Sequence, residues 1–131
     1  MNEWDFDTNA INEVQFEEGC RRANSSQALC FYHIFKAQAF YLYGYFKQAF
    51  DQLNLAKSHL IFILGQYATA LFNWYDSLIR LALYPTASHE DQPSYLDEVM
   101  RNQQQMQKWQ SSCPDNFSHK YLLVEAELAR I

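Results

Sequence analysis

The chain has 131 residues, a formal net charge of −5 and 17% aromatic residues, which is enough length and apolar bulk for a continuous core. The acidic balance, with no run of basic residues against it, argues against a non-specific nucleic-acid or anionic-membrane surface. The three cysteines, Cys20, Cys30 and Cys113, are odd in number with no close pair; they fit neither a disulfide framework nor a zinc site and read as reduced, partly buried thiols.

Residues 1–9 are acidic and carry two aromatics, Trp4 and Phe6. They lack the basic-then-apolar order of a signal peptide and are expected to fray or to dock by those rings. Thr8 or Asn9 is placed to cap a helix over 10–23, with Phe16, Cys20 and Ala23 on one face and Glu17 and Glu18 in solvent. Asn24-Ser25-Ser26 breaks it, and Ser25 or Ser26 caps the next. Helices follow over 26–43 and 46–60, with Gly44 between them where a helix C-terminus needs a left-handed residue. The apolar run Leu60 to Leu64 is far too short to span a bilayer and reads as a buried connection broken between 61 and 66.

The next helix covers 67–84, with Leu71, Trp74, Tyr75, Leu78, Leu81 and Ala82 as its apolar stripe and Pro85 as its end. Ser88 with Asp91 has the spacing of a capping box, with Asp in place of Glu or Gln. The helix it opens runs to 111. Tyr95, Leu96, Val99, Met106 and Trp109 form its buried side, and Asn102 to Gln105 its polar side. Cys113-Pro114-Asp115-Asn116 separates it from a last helix over 117–131. Helical period dominates every long segment and strand-like alternation is absent, so the fold is expected to be all-α, about five helices stacked as hairpins. It is read as one domain over 10–131, a piece of a larger protein.

The stretch Cys30 to Leu60 carries small residues where two helices approach closely, Ala37, Ala39, Ala49 and Ala56, with Phe40 and Phe46 on either side of Gly44. This pattern resembles a tetratricopeptide (TPR) helical hairpin. Two positions depart from it: His33 stands where that repeat has Trp, and Lys36 where it has Leu. Small helix positions Ala37, Ser77 and Ala126 lie about forty to fifty residues apart, longer than the 34 of the standard repeat, so the repeat is irregular. Hairpins of this kind bury their apolar faces only by stacking. An ordinary helical bundle is the competing arrangement.

The segments Asn73-Trp74-Tyr75-Asp76-Ser77-Leu78-Ile79-Arg80-Leu81-Ala82-Leu83-Tyr84-Pro85, Asn102 to Trp109 and Cys113 to Tyr121 resemble the helical-repeat region of very large bacterial signalling proteins, abundant in cyanobacteria. In that family a Ser/Thr kinase-like domain and an AAA-type ATPase module precede the repeats, and a GAF sensor and a histidine kinase follow. The resemblance implies a role in intramolecular signalling and partner binding, and the cysteine usage reads as that of a cytoplasmic protein. It transfers no catalytic residue: there is no glycine-rich phosphate loop, no kinase catalytic phrase and no phosphoacceptor box.

The chemistry-bearing residues read as structural. The histidines, His33, His59, His89 and His119, have no metal-ligand spacing, and no cofactor is expected. Asp76 within an apolar helix needs a partner, which Arg80 one turn later supplies. Glu125 and Glu127 point to different faces and form no carboxylate pair. Three functions are thereby weighed: a non-catalytic protein-interaction scaffold, a small-ligand module with a pocket lined by Phe31, Tyr41 and Trp74, and an enzyme, which the absence of motifs disfavours. The scaffold reading places the partner-binding surface on the first helix of the Gly44 hairpin, at Phe31, Ile34, Gln38, Tyr41 and Leu42. It suits an apolar or amphipathic peptide from a neighbouring domain or a second copy of the chain. The alternative is that these residues pack against the preceding helix.

Overall fold

The structure, a computed structural model, describes residues 12–22 and 25–131; the expected caps Thr8 and Asn9, and the docking rings of Trp4 and Phe6, lie outside them. Among the described residues the chain is helical throughout, with no strand. Among those residues there are six α-helices, against the five or so expected in all, and each falls on one of the helical segments read from the sequence: α1 Glu13–Arg22, α2 Ser26–Leu42, α3 Phe46–Lys57, α4 Tyr67–Leu83, α5 Asp91–Ser112 and α6 Pro114–Arg130. Short 3-10 turns occupy Leu60–Ile63 and Tyr84–Thr86. The chain divides into two compact units, Met1–Thr69 and Ala70–Ile131. The division falls inside the first turn of α4, where the sequence shows no break.

In the first unit α2 and α3 form a hairpin. Gly44 takes φ +85, and Tyr45 N–H donates to Phe40 O at 2.8 Å while Gly44 N–H donates to Tyr41 O at 3.0 Å. These are the two bonds of a Schellman ending, which satisfies carbonyls the helix leaves orphaned. Its usual apolar contact is present as well, the Phe40 and Tyr45 rings meeting edge-on at 6.3 Å. Ala37, Ala49 and Ala56 are fully buried, beside Ile34 and Leu53. Cys30 Sγ donates to Ala56 O at 3.5 Å. The helix expected over 46–60 stops at Lys57, and Leu60–Ile63 tightens into the 3-10 turn. Of the apolar run that follows, Ile63 is buried, while Ile61, Phe62 and Leu64 are exposed.

α1 packs on α2. Its cap is Asn12, whose Oδ1 accepts from Gln15 N–H at 3.0 Å. Glu13 accepts from both Tyr32 Oη and Lys36 Nζ, and Phe16 meets the Tyr32 ring at 5.9 Å. This explains how a lysine stands in the middle of an apolar helix: Lys36 is buried but ion-paired, as a buried charge requires.

In the second unit α5 and α6 pack together. Ser88 opens α5 as its spacing suggests: its hydroxyl accepts from Asp91 N–H at 3.1 Å and donates to Asp91 Oδ2 at 2.8 Å. α6 begins three residues earlier than the expected 117, because Pro114 sits at its first position, where a missing N–H costs nothing. The core includes Ile79, Leu81, Val99, Met106 and Val124. Gln103, expected on the polar side of α5, is buried. It lies at i+4 from Val99, on the inward face, and its Nε2 reaches Tyr121 O at 3.1 Å and Glu125 Oε1 at 2.9 Å.

Candidate functional site

α2 differs from the other helices in having its apolar residues spread around the axis rather than gathered on one face. A helix of that composition is normally buried all round. Here one side faces the core through Cys30, Ile34, Ala37 and Phe40, and a second is covered by α1 at Tyr32 and Lys36. The third side carries Phe31, Phe35, Gln38 and Leu42, which follow one another at four, three and four residues and so share one stripe. Phe35 is 49% and Leu42 66% exposed, and Phe31 and Gln38 are half-buried. The Phe31 and Phe35 rings lie nearly parallel with centroids 6.5 Å apart. No residue of the stripe is charged.

Of the five residues named from the sequence, Phe31, Gln38 and Leu42 fall on this stripe. Tyr41 lies at its edge, half-buried, with its ring 5.6 Å from that of Phe46. Ile34 is fully buried and belongs to the core, out of a partner's reach. Phe35 is the member that alignment on the repeat pattern missed; counting four on from Phe31 along an ideal helix would have reached it. The α1 contacts at Tyr32 and Lys36 lie to one side of the stripe. Of the residues weighed for a small-ligand pocket, Phe31 and Tyr41 belong to the first unit and Trp74 to the second. A separate cleft of about 370 Å3 is lined by Ser25, Ser26, Gln27 and Phe62.

Several buried polar groups in each unit pair with one another. In the second unit Arg80 Nε donates to Asp76 Oδ1 at 3.0 Å, and Asn102 Nδ2 donates to Asp76 Oδ2 at 2.8 Å. Both carboxylate oxygens are thus engaged, and the Arg80 guanidinium lies 5.5 Å from the centre of the Tyr95 ring. In the first unit the buried His33 has its Nδ1 2.8 Å from Gln52 Oε1. An amide oxygen only accepts, so the ring donates there. Burial lowers the His33 pKa from its ordinary 6.5, and His59 and Arg21 push the same way, against the Gln52 bond and Glu17. Burial also pushes the Cys30 thiol up to about 11. Among the described residues no group of three His, Cys, Asp or Glu is placed to hold a metal ion, and no helix is long and apolar enough to cross a membrane.

Comparison with known proteins gives no match to any family, to any curated protein or to any solved structure.

Proposed function

We propose that the chain is a non-catalytic interaction module that binds an apolar or amphipathic helical peptide along α2, through Phe31, Phe35, Gln38 and Leu42. The observation that carries this reading is the uncharged stripe on the solvent side of α2. Contiguous exposed apolar surface marks interaction sites, whereas single exposed apolar side chains do not. Two stacked phenylalanines with a leucine a further two turns on match the spacing by which a helix laid alongside presents its own anchors. Gln38 offers an amide to fix its register.

In this reading the Gly44 hairpin is of the TPR kind, its close approach supplied by Ala37, Ala49 and Ala56, and the chain is a cytoplasmic linker module of a bacterial multi-domain signalling protein. The glycine turn with its buried alanines supports the first part, and the resemblance of the Asn73–Pro85 and Cys113–Tyr121 segments supports the second. The bound segment comes from a partner protein or a neighbouring domain, and no nucleic acid is bound.

The test is selection of binders from a displayed random-peptide library against the full chain. Enrichment of peptides with large apolar residues at helical spacing, lost on Phe35→Glu, supports the reading. Enrichment that Phe35→Glu leaves intact removes α2 as the site.

A further inference from the structure

On α6 a second apolar stripe faces away from α5. Its inward side carries Lys120 and Val124, both buried, and Tyr121, whose carbonyl accepts from Gln103 of α5. Its outward side carries Asp115, His119, Leu122, Ala126 and Ala129, all exposed, with Leu122 60% and the adjacent Leu123 42% exposed; His119 stands at the margin of this side, its ring edge-on to Trp74 of α4 at 6.1 Å and its Nε2 2.9 Å from Lys120 Nζ. These five positions repeat at four, three, four and three residues, the 3.5-residue period of a seam between two helices. The alanines allow close approach, and the leucines give the seam its apolar bulk.

The charges on this face are arranged by polarity. Asp115 stands in the first turn of α6 and Arg130 in the last. Two such helices laid antiparallel in the register that sets 115 against 130 also set His119 against Ala126 and Leu122 against Leu123. Each end then brings a carboxylate to a guanidinium. Arg130 already contacts Glu127 through Nε and Nη2, at 2.9 and 2.7 Å, but a guanidinium has five N–H donors and can serve two carboxylates. A face that matches itself when turned by a half rotation forms a closed two-fold interface, in which every contact occurs twice.

We propose that α6 pairs antiparallel with α6 of a second copy of this chain, through Leu122, Leu123, Ala126 and Ala129, with Asp115 of each copy against Arg130 of the other. This face is distinct from the α2 stripe, and either proposal can fail without the other.

The test is the mass of the full chain by sedimentation equilibrium at rising concentration. The expected result is a shift from one copy to two, abolished by Leu122→Glu with the helical circular dichroism retained. Asp115→Arg alone sets like charges together at both ends and weakens association by roughly tenfold. Adding Arg130→Asp restores it, which a merely structural role for either residue would not do. If Leu122→Glu loses its helicity, this charge exchange decides by itself. A single-copy mass at every concentration overturns the proposal, as does a dimer indifferent to both Leu122→Glu and the charge exchange. A dimer lost on Phe35→Glu but kept on Leu122→Glu overturns it too, and moves the interface to α2.

Discussion

His33 and the cysteines carry the most direct consequences at the scale of single residues. With its pKa lowered by burial, folded His33 resists the proton that the unfolded chain accepts. As pH falls through about 6.5 the unfolded state binds more protons, so stability drops, and this loss levels off below the lowered folded value. Urea midpoints at about pH 7.5 and 5.5 should therefore differ, and His33→Gln should narrow the difference. An unchanged difference would mean that His33 titrates alike in both states. Thiol labelling of the native chain at neutral pH should modify Cys113 first, because it is half-buried while Cys20 and Cys30 are buried and the Cys30 thiolate is disfavoured. Fast labelling of Cys30 would contradict the packing of α2 on α3. The Asp76–Arg80 pair was legible in the sequence, since i and i+4 on one helix must meet. The partners of His33 and Lys36 were not: Gln52 and Glu13 lie on other helices, and nothing local announces a bond across a hairpin.

Among the elements, the α2–α3 hairpin rests on Gly44. Nothing lies within 4 Å of where a Cβ would stand, so Gly44→Ala pays only for the left-handed backbone, about 1–2 kcal/mol in thermal or urea unfolding. Asn at that position should cost less. The two sides of α2 should separate just as cleanly. Ile34→Ala opens a cavity and should cost about 2–5 kcal/mol, whereas Phe35→Ala, half in solvent, should cost well under that. Equal costs would mean that the stripe is not a surface. Helix positions were legible because apolar period and caps are local signals, down to Ser88 opening α5. Faces were less so. α2 has apolar residues all round its axis, so periodicity could not tell Ile34 from Phe35. A polar run on α5 hid the inward position of Gln103, whose burial depends on acceptors supplied by α6.

For the whole molecule, the all-α class followed from the helical period, while the division between Thr69 and Ala70 left no mark, because α4 crosses it as one unbroken helix. The stacking of hairpins and the choice of partner depend on contacts between segments far apart in sequence, which composition and period do not encode. With a net charge of −5, the chain is expected to show no salt-dependent retention on immobilised DNA at moderate ionic strength; retention would point to a local basic surface and away from peptide binding. The central claim is that the uncharged stripe of α2 is a binding face. It is tested most directly by calorimetric titration of a selected helical peptide into the native chain and into the Phe35→Glu and Leu42→Glu variants, each shown to keep its helicity. The account predicts saturable one-to-one binding to the native chain, weakened at least roughly tenfold, or about 1.4 kcal/mol, by either substitution. Affinity unchanged in both folded variants would contradict it.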